Sequence, residues 1–115
     1  MAKKKYLRKS EFRYYNRKEY LDKNGNPHPA YITVRNGHKY KFNVITHSKN
    51  FFGKPTEQLD KNPEINSKYK GKKESRVSIS RWDNDNQFSD KLPKNNWHLT
   101  KNDKKKIKKM NKRQK

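Results

Sequence analysis

Two runs of alternating side chains meet at Asn36-Gly37, and this junction constrains the fold more than any other stretch of the chain. Ala30-Tyr31-Ile32-Thr33-Val34 lies upstream and His38-Lys39-Tyr40-Lys41-Phe42-Asn43-Val44-Ile45 downstream. Period-2 alternation on both sides of Asn-Gly is a strong local signal for a β-hairpin. Neighbouring side chains on a strand face opposite ways, so a one-residue slip in pairing exchanges the buried and exposed sets. A two-residue loop at Asn36-Gly37 mixes Lys39 and Lys41 into the face of Ile32 and Val34. A three-residue loop, Arg35-Asn36-Gly37, pairs Val34 with His38, Ile32 with Tyr40 and Ala30 with Phe42. It gathers Ala30, Ile32, Val34, Tyr40, Phe42 and Val44 on one face, and it is the register we expect, with Gly37 at positive φ in a bulged turn.

The rest of the chain extends this hairpin. Arg76–Trp82 reads as another strand, with Val77 and Ile79 facing one way. Trp97 and Leu99 are expected to pack on the sheet. Thr100 with Asp103 three residues later forms a capping box, so a helix begins there and runs through Met110. Its apolar stripe is only Ile107 and Met110, which predicts light docking. Residues 46–74, with Gly53, Pro55, Pro63 and Gly71, read as loop. Residues 1–21 read as a basic aromatic arm, in which Ser10 caps a short helix from Glu11. The expected fold class is mostly β (α+β): a small SH3-like barrel or curled antiparallel sheet over residues 22–99. A basic N-terminal arm (1–21) and a basic helical tail (100–115) flank it.

Charge bounds the function. The chain has 115 residues, with 32 Lys and Arg against 11 Asp and Glu, for a net charge of +21. At 27% hydrophobic and 37% charged, the composition leans towards disorder, but 7 Tyr, 5 Phe and 2 Trp can build a small aromatic core. Basic side chains that neutralise phosphates release condensed counterions, which drives sequence-independent binding to nucleic acid. Lys outnumbers Arg 25 to 7. Lysine grips as a point charge rather than reading bases through a fork. The expected partner is therefore nucleic acid, RNA or a ribonucleoprotein in preference to DNA, with an acidic protein surface as the other class. The Lys and Asn bias suits an AT-rich genome such as that of a phage or plasmid, which also admits an inhibitor of a host nucleic-acid enzyme. No apolar run approaches a membrane span and no secretory signal is legible, so we expect a cytoplasmic protein.

The expected nucleic-acid face combines the hairpin's Tyr31, Thr33, Arg35, Lys39 and Lys41 with the loop Lys68, Tyr69, Lys70, Lys72 and Lys73. Arg76 and Arg81 join them, as do the tail lysines Lys104, Lys105, Lys106, Lys108 and Lys109. Tyrosines interleaved with lysines (Tyr6, Tyr14, Tyr15, Tyr31, Tyr69) are candidate base stackers. There is no cysteine, and the four histidines match no zinc spacing. Asp83-Asn84-Asp85-Asn86 begins like a calcium loop, but Phe88 and Lys94 stand where that loop needs Gly and Glu. We expect neither metal nor cofactor.

The best candidate for chemistry is Thr46-His47-Ser48 at the end of the second hairpin strand. A histidine beside hydroxyls suits a general base for attack by a ribose 2′-OH, with Arg35, Arg76 or Arg81 nearby to stabilise the phosphorane. The plainer reading is a strand-end cap in which the hydroxyls bond local backbone. The sequence favours a binding protein over an enzyme. His28-Pro29-Ala30-Tyr31-Ile32-Thr33-Val34 followed by Val44-Ile45-Thr46-His47-Ser48 resembles the strand pair of the MazF/PemK toxins. Those are SH3-like barrels that cleave RNA. The resemblance spans about a fifth of the chain and implies site positions at His28 and Thr46, although His28 stands where that family usually has Arg.

Overall fold

The computed structural model describes residues 4–65 and 74–114. The loop lysines Lys68, Lys70, Lys72 and Lys73 and the tyrosine Tyr69 fall outside them. Strand β1 (Lys4–Tyr15) pairs antiparallel with β2 (His28–Asn36), and β2 with β3 (Lys39–Thr46). The first half of β3 then pairs with β8 (Arg81–Asn84) and its far end with β7 (Arg76–Val77), which pairs with β6 (Glu57–Gln58). A small hairpin, β4 (Asn50–Phe51) and β5 (Lys54–Pro55), projects from the connection after β3. Helix α1 (Lys101–Arg113) ends the fold. The protein is mostly β with one C-terminal helix, as the sequence implied.

The sheet curls until its edges meet. After β8, Tyr15 bridges to Phe88, and Asn16 N donates to the Gln87 carbonyl at 2.7 Å. Ser89 N bonds the Tyr14 carbonyl at 3.0 Å and Leu92 N the Phe12 carbonyl at 2.8 Å. These bonds satisfy the outer edge of β1, which would otherwise present unpaired backbone. Residues 4–15 are therefore a barrel strand, not an arm with a short helix from Glu11. The period-2 run Glu11-Phe12-Arg13-Tyr14 explains the difference, since it sends Phe12 and Tyr14 to one side of the sheet.

The β2–β3 register differs from both sequence alternatives. The loop is Gly37-His38, with Asn36 opposite Lys39 and Arg35 opposite Tyr40. A bulge between Ile32 and Val34 shifts the register, so that Ile32 pairs with Phe42 and Ala30 with Val44. The extra residue sits inside the strand rather than at the turn. Gly37 still adopts positive φ, 63°. The bulge restores the apolar face that the alternation demanded: Ala30, Ile32, Tyr40, Phe42 and Val44 fill the barrel with Tyr15, Phe51 and Phe88. Val34, expected on that face, pairs with Lys41 beyond the bulge.

The reverse face is covered as well. Phe12, Tyr31, Ile45, Val77, Trp97 and Leu99 form a second core against Ile107 and Met110 of α1. Burying those two side chains contributes roughly 2 kcal/mol each. Thr100 caps the helix as the sequence predicted, its hydroxyl accepting from Asp103 N. The light docking expected of α1 is corrected by polar ties that an apolar count misses. The Asp103 carboxylate is fully buried and accepts from the Asp60 and Lys61 amides at 2.8 and 3.3 Å. Asn43 and Asn111 exchange amide bonds at 2.9 and 3.2 Å, and Asn43 also donates to the Ser78 carbonyl at 3.0 Å. Gln114 accepts from Ser80 N at 2.8 Å and donates to its carbonyl at 2.7 Å, imitating a neighbouring strand.

Candidate nucleic-acid interface

A groove of about 990 Å³ opens where β2 begins and β3 ends. The turn after Asp22 forms one wall, the β4–β5 hairpin another, and Glu74–Arg76 a third. His28, Thr46, His47 and Arg76 all line it, so folding brings the three catalytic candidates and one arginine together. The other two arginines lie elsewhere. Arg35 sits at the far end of the hairpin, about 23 Å away by strand rise, where it donates to the Gly37 carbonyl. Arg81 packs over the rings of Tyr20 and Phe51 at 5.3 and 5.9 Å.

Both groove histidines have their orientation fixed. His28 Nδ1 lies 3.0 Å from the Tyr20 carbonyl and His47 Nδ1 lies 2.8 Å from the Glu74 carbonyl. A carbonyl only accepts, so each ring carries its proton on Nδ1, and in the neutral form Nε2 holds the lone pair. That is the tautomer a general base needs. Thr46 is committed otherwise, because its hydroxyl accepts from Ser48 N at 3.2 Å, the strand-end cap. Arg76 is also engaged. Its Nε and Nη2 donate to the Thr56 hydroxyl and carbonyl, both at 2.8 Å, and its Nη1 lies 3.5 Å from the Glu74 carboxylate. It braces the loop after β5 and leaves little of its guanidinium to a ligand. The groove carries both signs of charge, with Lys23 and Lys49 among the cations and Asp22, Glu64 and Glu74 among the anions.

Among the described residues, the main concentration of cationic surface is α1. Asp103, Ile107 and Met110 turn inward, which sets Lys101, Lys105, Lys108 and Lys112 on the outward stripe with Lys104 and Lys109 beside it, all exposed. No salt bridge joins these six lysines to an acidic residue among the described residues. Lys106, grouped with them from sequence, instead donates to the Gln58 carbonyl at 2.7 Å and approaches Asp60 at 3.4 Å.

The proposed sheet face needs correction. Tyr31 is 6% exposed and sits in the second core, so it is no stacking residue. Burial raises its phenol pKa against a hydrogen bond with Ser10. Tyr15 is buried too, and Tyr14 packs against the second core. Asn43 is fully buried beneath α1. Tyr14, Tyr31 and Asn43 share one reason: their face of the sheet is covered by α1 and Trp97, whereas Tyr15 points the other way, into the barrel interior. Thr33 is half-buried, Lys39 is exposed opposite Asn84, and Lys41 is half-buried opposite Trp82.

Sequence reasoning overlooked an aromatic ridge beside the groove. Tyr20, Phe51 and Phe52 contact one another, and Phe51 meets the His28 ring edge-on at 5.5 Å. An aromatic pair next to Gly53 inside a polar stretch was the available signal. It also overlooked the ion pair below the ridge, where Arg17 Nη2 donates to Asp83 Oδ1 at 2.7 Å and the Tyr15 hydroxyl donates to Oδ2. Burial pushes Asp83 upward, but the bonds from Arg17 and Tyr15 outweigh it and hold the carboxyl at about 2. Among the described residues no cluster of His, Asp or Glu is arranged to hold a metal, and no helix is long and apolar enough to cross a membrane. No protein-family model, curated protein or solved structure matches the chain, so the functional reading rests on this geometry.

Proposed function

We propose that the protein binds nucleic acid, RNA in preference to DNA, by gripping phosphates through the outward face of α1. The observation that carries this reading is the set of six exposed lysines, Lys101, Lys104, Lys105, Lys108, Lys109 and Lys112, on a helix held rigidly by its opposite side. Like charges this close repel, and a polyanion relieves that repulsion while releasing its own counterions. Fluorescence anisotropy with single-stranded RNA, duplex RNA and duplex DNA across a salt series tests it. The expected result is a steep fall of log affinity with log salt. Replacing Lys105, Lys108 and Lys112 together by Gln should flatten that slope by about 2 to 3, at roughly 0.7–0.9 for each phosphate no longer neutralised. Weak binding of all three polymers at low salt would overturn the reading and point to an acidic protein partner.

A second reading draws on the groove. His28 and His47 hold the general-base tautomer in the same concavity, which supports a ribonuclease of the MazF/PemK kind. One imidazole Nε2 would take the proton of a 2′-OH as its oxygen attacks phosphorus. The 5′-oxygen would leave, protonated by water or by the second imidazole in its imidazolium form, giving a 2′,3′-cyclic phosphate and a 5′-hydroxyl end. Incubated RNA run on a denaturing gel decides this. Cleavage lost in His47→Ala supports it, and intact RNA at high protein concentration removes it.

A further inference from the structure

The β4–β5 hairpin has a turn that its sequence does not favour. Asn50 pairs with Pro55 and Phe51 with Lys54, so Phe52-Gly53 is a two-residue loop. Both loop residues have positive φ, 49° at Phe52 and 81° at Gly53. This is the type I′ pattern, whose first position prefers Asn, Asp or Gly because a Cβ there crowds the backbone. Phe52 is the sole non-glycine residue with positive φ among the described residues. It is also the most exposed large apolar side chain among them, at 54%. A residue that its backbone disfavours and that still leaves more than half of its ring in solvent points to a role at the surface.

The ring is nevertheless held in place. It lies nearly perpendicular to the rings of Tyr20, at 4.4 Å, and Phe51, at 4.8 Å. Those supports are themselves anchored: Tyr20 stacks on Tyr15 at 5.6 Å, and Phe51 is buried in the barrel. These contacts still leave the ring about half in solvent. Lys49 and Lys54, both exposed, flank the tip in sequence, and Phe52 lines the groove that holds His28 and His47. Pre-positioned aromatic area beside flexible cations is the arrangement by which proteins hold single strands: bases stack, and lysines meet the adjoining phosphates. Paired bases are closed within their own stack and offer this ring nothing.

We propose that Phe52 is a stacking post for an unpaired base of RNA entering the groove, with Lys49 and Lys54 on the neighbouring phosphates. This rests on the nucleic-acid reading above and adds the strandedness and the residue. The test is anisotropy with fluorescein-labelled oligo(A) of about 12 nucleotides, within the usual span of such sites, and with a blunt RNA duplex. Three variants accompany the parent protein. Phe52→Ala should weaken oligo(A) binding roughly 5- to 140-fold, the range for losing one stacked base, and leave duplex binding unchanged. Phe52→Asn suits the turn, so it should keep or raise the melting temperature while losing oligo(A) affinity to a similar degree. Phe52→Trp should bind like the parent and show added fluorescence quenching on oligo(A). Equal oligo(A) affinity of Phe52→Asn and the parent would overturn the stacking role, as would an equal loss on the duplex. A parent protein that binds neither RNA would instead bring down the nucleic-acid reading itself.

Discussion

Asp103 ties α1 to the barrel, and replacing it with Asn isolates what its charge contributes. Its two carboxylate oxygens serve two loop amides, Asp60 N on Oδ1 and Lys61 N on Oδ2. Asparagine keeps the volume but turns one oxygen into an NH₂ group, so one loop amide would face a donor. A hydrogen bond to a charged acceptor contributes about 1.5–3 kcal/mol. Losing a negative charge in the first helical turn, here also 3.9 Å from Lys106 Nζ, costs about 0.3–1 kcal/mol more. Against this, a neutral side chain is cheaper to bury. The net expectation for Asp103→Asn is a loss of about 2 kcal/mol, or about 8 °C in Tm at roughly 4 °C per kcal/mol for a domain of this size. Urea unfolding followed by far-ultraviolet ellipticity and by tryptophan fluorescence measures it, since Trp97 lies in the core that α1 covers. A variant within about 0.5 kcal/mol of the parent would refute the claim that this carboxylate fastens the helix.

Two more predictions concern the buried polar groups. The carboxyl of Asp83 is held at about 2 against an ordinary 3.8. Its native value lies below its unfolded one, so the stabilisation is complete above about pH 4 and lost as pH falls through 2. The shift corresponds to about 2 kcal/mol. Asp83→Asn should therefore be less stable at neutral pH, and its deficit against the parent should shrink by about that amount between pH 5 and pH 2 in urea titrations; a constant deficit would contradict the assignment. At the Asn43–Asn111 pair, a double-mutant cycle to Ala should give a coupling of at least about 0.5 kcal/mol, whereas additive losses would show that the amides do not hold helix to sheet.

The barrel interior was legible because it obeys a local rule. Alternation along β2 and β3 selected Ala30, Ile32, Tyr40, Phe42 and Val44, and the structure assembles them even though the register differs. The bulge that reconciles turn and pleat has no side-chain signature of its own. The helix cap at Thr100 was equally local. What alternation could not reveal was the fate of the opposite face, because whether Tyr31 and Asn43 meet water depends on where α1 lands far along the chain. The landing is directed by Asp103, Asn111 and Gln114, polar residues that a count of apolar positions passes over. The groove followed partly from sequence: His28, Thr46, His47 and Arg76 converge there, while Arg35 and Arg81 do not. Phe52 was invisible for a related reason, since an aromatic residue in a poorly hydrophobic chain is assumed to be core until a structure shows it outside.

The chain leaves β3 at Thr46 and regains the sheet in β6, which lies only one strand away across β7. Of residues 47–56 between them, only Phe51 and Thr56 are buried. A loop whose ends are held this close is cheap to resize, since each doubling of its length adds only about 0.6 kcal/mol of closure entropy. The stretch can accordingly diverge, or be exchanged by graft, without disturbing the barrel or the lysine-bearing helix. Descendants of this scaffold could change what they recognise by rewriting the eight exposed residues of this stretch, and an engineer could do the same with the Phe51 and Thr56 anchors retained.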